Sequence, residues 1–198
     1  RSGGTGSKSR RTIRPSGKPL GSFSNSMNAD RRIALVIHNV RSAANVGSML
    51  RTADGAGVSQ VWLSGYTPAP AAADCRYPTA AERALAKTAL GAERSVSWHR
   101  CRSISTVLEC LHTEGYRLVA LEQSDGSISA EEAGRMDDAI AIVVGNEVRG
   151  IDRRILGRCD AIVELPMYGQ KHSLNVAVAA GIALYTIRGT MEKTNILL

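Results

Sequence analysis

Three short stretches gather the residue types that can do chemistry: "NVRSAANVGSMLRTADGAG" (39–57), "VVGNEVRGID" (143–152) and "PMYGQKHSLNVAVAAGIAL" (166–184). In the first, Asn45 is placed to cap a helix, Gly47 allows a close approach by another chain or a ligand, and Arg51 lies nearly two turns in. A guanidinium stays protonated under nearly all conditions, so Arg51 suits gripping a phosphate or stabilising developing negative charge. A capped helix with a surface arginine accounts for the same residues. In the second, a strand runs into Gly145, then Asn146 and Glu147, then Gly150 before a helix. Glycine at a strand end lets a flat ligand approach the backbone, and Glu147 is the carboxylate at that rim. The spacing fits neither GxGxxG nor a P-loop, which leaves an ordinary strand-to-helix turn as the plain alternative.

The third stretch joins a polar turn to a greasy helix. Leu165, Pro166 and Met167 leave a strand, Tyr168 to His172 form the turn, and Ser173 stands at the helix N-cap with Asn175 just inside. A nucleophile elbow, GxSxG, needs glycines two residues to either side of the serine; Lys171 and Asn175 occupy those positions, so a hydrolase is excluded. His172 and Ser173 are neighbours on a turn and do not face each other as a catalytic pair.

These stretches sit on a repeating frame. Strands are expected at "IALVIHNV" (33–40), "QVWLSGY" (60–66), Ser95–Trp98, "YRLVALEQ" (116–123), "AIAIVVGNE" (139–147) and "AIVELPM" (161–167). Helices are expected at 45–57, Thr79–Leu90, Ile104–Thr113, Asp152–Arg158 and 173–188. Such alternation predicts an α/β fold, a parallel sheet flanked by helices on both faces. Ligands of these sheets bind at the carboxyl ends of the strands, where all three stretches lie.

The chain has 198 residues, of which 43% are hydrophobic, enough for one domain with a real core. Its apolar runs are interrupted before membrane-spanning length, which predicts a soluble protein with no membrane partner. Four scattered cysteines, with no CxxC and no Cys/His quartet, predict a reduced, metal-free, cytoplasmic protein. The net charge of +7 is confined to one place: residues 1–32 hold eight basic residues against Asp30, while the rest of the chain is balanced. Rich in Gly and Ser, that segment reads as a flexible basic N-terminal tail suited to phosphate, or as a leader, ahead of a folded domain at 33–198.

Taken together, the three stretches resemble the SpoU/TrmH family of RNA ribose 2′-O-methyltransferases, within the SPOUT superfamily. The match lies in Asn45, Gly47, Arg51 and Ala53; in Gly145, Glu147 and Gly150; and in Pro166, Met167, Gly169, Ser173, Leu174, Asn175 and Val176. It covers about residues 33–188. The resemblance implies a C-terminal segment threaded as a deep trefoil knot, an exception to un-knotted connection that periodicity does not show. It also implies a homodimer with S-adenosyl-L-methionine held in the knot by Gly145, Leu165 and Leu174, with Leu121, Glu122, Asn146 and Met167 nearby. The catalytic set it implies is Asn45, Arg51, Glu147, Ser173 and Asn175. The resemblance makes Arg51 the group that activates the hydroxyl; a guanidinium stays protonated, so the expected role is chiefly that of a cation, with Asn45 and Asn175 orienting it and Glu147 organising the site.

The expected activity is methyl transfer to structured RNA, tRNA ahead of rRNA because no large RNA-binding domain precedes the catalytic one. The Pro/Ala-rich loop 67–77 is the expected seat of substrate choice. A catalytically silent RNA-binding relative is the rival reading. A nucleotide-binding oxidoreductase is a second, and it lacks the glycine fingerprint.

Overall fold

The computed structural model describes residues 31–193. Six strands, β1 (Arg32–His38), β2 (Gln60–Ser64), β3 (Trp98–Cys101), β4 (Arg117–Leu121), β5 (Ala139–Val144) and β6 (Ala161–Val163), form one sheet in the order β3-β2-β1-β5-β4-β6. Every pairing is parallel. The helices are α1 (Ala43–Gly55), α2 (Ala80–Ala89), α3 (Ala92–Ser95), α4 (Ile104–Thr113), α5 (Ala130–Ala133), α6 (Arg153–Leu156) and α7 (Val176–Lys193). Among the described residues no helix is long and apolar enough to cross a membrane.

Strand β1 explains why both faces are covered. Ile33, Leu35 and Ile37 pack against Val46, Met49 and Leu50 of α1 and Leu184 and Ile187 of α7. Ala34 and Val36, pointing the other way, pack against Val107, Leu108 and Leu111 of α4. A strand buried on both sides reads as an unbroken apolar run, which is the form of "IALVI". Between β1 and β5 the connections diverge to opposite halves of the sheet, so the loops after these strands flank the crevice where open α/β sheets bind ligands.

Four expectations need correction. Helix α1 begins at Ala43, capped by Ser42, whose hydroxyl accepts from the Asn45 N–H at 3.3 Å; Asn45 is inside the helix and its side chain is spent elsewhere. The segment ending at Ser95 is the one-turn helix α3, and the strand follows at Trp98–Cys101. The Trp98 indole N–H donates back to the Glu93 carbonyl at 3.0 Å, locking that turn. Strand β6 ends at Val163, well before Met167, and the chain leaves the sheet ahead of Pro166, which has no N–H to offer a ladder. Helix α7 starts at Val176, not Ser173. Its cap is Asn175, whose side-chain oxygen accepts from the N–H groups of Ala177 at 2.9 Å and Val178 at 3.4 Å.

Glycine at position 47 serves packing within the chain. A Cβ there would collide with the Leu85 carbonyl and the Thr88 hydroxyl, so α1 and α2 touch backbone to backbone. Thr88 completes the seam by donating to the Ala44 carbonyl at 2.9 Å. Strand β1 also takes in Arg32, and Arg31 forms an ion pair with Asp138 at 3.0 Å, so the sheet begins a little ahead of the expected domain start. Residues 1–30 of the tail lie outside the described residues.

Candidate active site

The loops after β1, β4, β5 and β6 converge at the carboxyl edge of the sheet. A cavity of about 250 Å³ opens between the last three. All seven residues expected to touch a cofactor, Leu121, Glu122, Gly145, Asn146, Leu165, Met167 and Leu174, line it, as do Glu147 and Ser173. Its walls are apolar where Val144, Val163 and Val176 join those leucines, and its rim is polar. The three stretches separated in sequence thus supply one concavity.

Beside the cavity, side chains from all three stretches form a hydrogen-bonded chain. Asn175 Nδ2 donates to Asn45 Oδ1 at 3.2 Å, and Asn45 Nδ2 donates to Glu147 Oε1 at 3.3 Å. The Glu147 carboxylate also accepts the backbone N–H groups of Ser42 at 3.0 Å and Arg41 at 3.1 Å. Burial pushes the Glu147 carboxyl up, but the hydrogen bonds from Ser42, Arg41 and Asn45 outweigh it and hold the group below its ordinary value. An ionised carboxylate so committed fastens the start of α1 and makes a poor proton acceptor. It sits next to the exposed first turn of that helix, where negative charge is favourable.

Arg51 stands apart from this chain. It is exposed on α1 and makes no hydrogen bond or ion pair among the described residues. Ser173 is exposed at the cavity rim and likewise unbonded. Nearby, Gln123 Nε2 donates to the His172 carbonyl at 2.7 Å, tying the loop after β4 to the turn that precedes α7. The site therefore presents a fixed polar cluster with a hydroxyl at the cavity rim and a cation farther along α1, both without partners among the described residues.

Two glycines and a glutamate have local duties. A Cβ on Gly145 would meet the Gly150 carbonyl at 2.6 Å, so its bareness admits the protein's own returning loop. The Glu122 carboxylate accepts from the N–H of Ile151 at 2.9 Å and of Gln123 at 3.1 Å, bracing the same loop. Gly150 supplies the left-handed backbone, φ 65°, that closes the Asn146–Gly150 turn.

Sequence reasoning missed a buried network behind the site. Asn146 Nδ2 donates to the Asn39 carbonyl at 2.9 Å and to the Tyr66 hydroxyl at 3.1 Å, and its Oδ1 accepts from the N–H groups of Val148 and Arg149. Asn39 adopts φ 56°, a conformation asparagine tolerates better than most residues. Its amide contacts His38 Nε2 at 2.9 Å, while His38 Nδ1 lies 2.7 Å from the Ser64 hydroxyl. Burial lowers the His38 pKa, so the ring is held neutral, with Nδ1–H donating to Ser64 and Nε2 accepting. The available signal was an asparagine directly after an apolar strand, a usual place for a left-handed residue.

Comparison with known proteins follows the same segments. Residues 32–185 match the model of the SpoU rRNA Methylase family. The chain belongs to that family. Over 161 residues it is 34% identical to the 23S rRNA (guanosine(2553)-2′-O)-methyltransferase RlmP of Bacillus subtilis, covering 81% of this chain and 60% of that one. The chain spans little more than half the length of the curated relatives it matches, from 53% to 60%. Among solved structures, the SpoU methyltransferase AviRb of Streptomyces viridochromogenes in complex with AdoMet superposes with a TM-score of 0.71 at 20% identity, covering 88% of this chain and 66% of that one. A structure described as giving insight into 2-OH methylation of C/U34 on tRNA has a TM-score of 0.67 at 26% identity, covering 83% of this chain and 99% of that one. Within the SpoU rRNA Methylase family match fall all five residues of the expected catalytic set. Among the described residues no three His, Cys, Asp or Glu side chains gather as a metal-binding group.

Proposed function

We propose that this chain transfers a methyl group from S-adenosyl-L-methionine to a ribose 2′-hydroxyl of structured RNA. The observation that carries the reading is the Asn175–Asn45–Glu147 chain at the lip of a cavity with apolar walls and a polar rim. That cavity fits an adenosine: leucine and valine side chains for the flat base, backbone and polar groups toward the open end. The cofactor supplies an electrophilic methyl group on a cationic sulfur. Leu121, Leu165 and Leu174 would hold the base, and Ser173 would bond the cofactor's methionyl end or the RNA. Arg51, exposed and without a partner among the described residues, would hold the target phosphate and steady the alkoxide as the hydroxyl passes its proton to water at the open rim. Glu147 keeps Asn45 in register and does not take the proton.

Both rRNA and tRNA remain substrates of this reading. The Bacillus subtilis relative is named for 23S rRNA, and a structure of which this chain covers 99% concerns tRNA. Because the chain spans only part of its curated relatives, its length gives no ground for favouring tRNA.

The assembly we propose is a homodimer, supported by a stripe of exposed apolar residues on α7, Val178, Ile182 and Tyr185. The knot is proposed on the family resemblance. In keeping with it, the loop after β4 is fastened across β6 by the Ile128 N–H to the Ile162 carbonyl and the Glu164 N–H to the Ile128 carbonyl. A folded domain from 33 to 198 with a basic RNA-binding tail, in the cytoplasm where four free thiols persist, completes the proposal.

Incubating the purified chain with labelled S-adenosyl-L-methionine and total RNA from cells lacking it should yield labelled 2′-O-methylnucleosides after nuclease digestion. Cofactor binding without any label in RNA would favour the silent relative. No cofactor binding would sink both.

A further inference from the structure

We propose that Tyr66 is a stacking platform for the base of the nucleotide whose ribose is methylated, an inference that rests on the RNA methyltransferase reading. Tyr66 is 55% exposed, yet it is held at both ends. Its backbone N–H donates to Asn39 Oδ1 at 3.3 Å and its hydroxyl accepts from Asn146 Nδ2 at 3.1 Å. The turn beneath it is rigid. Gly65, at φ 67°, leaves no room for a side chain against Asn39, and the Thr67 hydroxyl lies 3.0 Å from the Ile37 carbonyl and 2.8 Å from that of Ser64. A ring fixed in this way has already lost its rotamer freedom, so a base that settles on it adds little ordering cost. The other large exposed tyrosines, Tyr77 at 84%, Tyr168 at 95% and Tyr185 at 55%, make no side-chain hydrogen bond among the described residues.

Position favours a base over the rest of the nucleotide. Asn146, which grips the Tyr66 hydroxyl, also lies 3.4 Å from the Glu147 carboxylate, the end of the Asn175–Asn45–Glu147 chain. The ring is thus tied through one side chain to the cluster that meets the ribose, and the base is the part of the nucleotide that extends away from that ribose. Phosphate has its own partners. Arg41 and Arg149, in the loops after β1 and β5, are exposed with side chains free of ion pairs among the described residues, and Arg51 is exposed farther along α1. A half-exposed aromatic face beside unpaired arginines is the combination that single-stranded nucleotides recognise, by stacking and charge, with little dependence on base identity.

The test compares Tyr66→Phe, Tyr66→Trp and Tyr66→Leu in the full chain, with total RNA from cells lacking the protein as substrate. Loss of the ring in Tyr66→Leu should raise KM for RNA about tenfold, within the range of one base–aromatic stack, and leave the cofactor Kd unchanged. Tyr66→Phe and Tyr66→Trp should keep KM within about twofold. A purely structural role predicts a different split: Tyr66→Phe, deprived of its bond to Asn146, would fall with Tyr66→Leu in kcat and cofactor affinity. Wild-type KM in Tyr66→Leu would overturn the stacking role while leaving the enzyme reading intact; absence of methylated ribose with the wild-type chain would overturn the enzyme reading itself. Should Tyr66→Leu not fold, ultraviolet cross-linking of the wild-type chain to the same RNA decides. An adduct on the peptide carrying Tyr66 is expected, and adducts confined to other peptides would refute the proposal.

Discussion

Glu147 and Arg51 divide the electrostatics of the site between a committed charge and a free one. Glu147 spends its carboxylate on Arg41, Ser42 and Asn45, whereas Arg51 has no partner among the described residues. If Arg51 works as a positioned cation, Arg51→Lys retains the charge and should keep turnover within about tenfold; a loss beyond about a thousandfold would require chemistry specific to guanidinium. For Glu147 the sign of the pH dependence follows from its lowered pKa. Below its folded value the carboxyl is protonated in both states; above the ordinary carboxylate value, about 4.3, it is ionised in both. Its contribution to stability is therefore full above about 4.3 and disappears as pH falls through the lower folded value. Melting temperatures of the wild type and Glu147→Gln should differ at neutral pH and approach each other as pH falls below about 4.3. A gap that stays constant over that window would mean the carboxylate's bonds do not matter to the fold.

At the scale of elements, α1 is the part that everything else aims. Its first turn bonds Glu147 and Asn175, while its bare Gly47 lets α2 close against its back. Gly47→Ala should push α2 away from α1, because the obstructing atoms include a backbone carbonyl that cannot swing aside. We expect a loss of about 2 kcal/mol, seen as a fall in Tm of roughly 4–8 °C, with cofactor affinity changed far less. Much of this frame was legible in the sequence: β1 as an unbroken apolar run, and α4 with the boundaries Ile104–Thr113. The reading slipped where side chains compete for backbone groups. Ser42 took the cap that Asn45 was expected to fill, and Asn175 took the one expected of Ser173. Period and propensity do not decide between two residues that can each cap. The meeting of Asn45 with Glu147 and Asn175 spans separations of 102 and 130 residues. It came into view through the family's motifs, since spacing along the chain carries no information about strand order. Tyr66 and Asn39 went unread for the same reason, their partnership existing only once β2 lies beside β1.

At the scale of the whole molecule, one long helix is half unpartnered among the described residues. Ala180, Leu184, Ile187 and Met191 of α7 are buried against the sheet and α1, while Val178, Ile182 and Tyr185, spaced four and three residues apart, are 50%, 43% and 55% exposed on another side. Beside them runs a groove lined by Ala177 and Gly181 and by Asn45, Ser48 and Thr52 of α1, so the apolar stripe reaches the Asn175–Asn45–Glu147 chain. A contiguous stripe of this kind is what an isologous partner covers, each copy laying its α7 against the other's. The chain should sediment at twice its 21.1 kDa mass. Ile182→Glu would place a carboxylate in the middle of the joint, where leaving water without a partner is costly, and should shift the population to monomer at micromolar concentration. Because the groove includes Asn45 and Asn175, separating the copies should depress methyl transfer more than cofactor binding, the cavity for which opens on another side between the loops after β4, β5 and β6. A wild-type chain that remains monomeric at those concentrations, with Ile182→Glu equally active, would show that the stripe serves some contact other than a second copy.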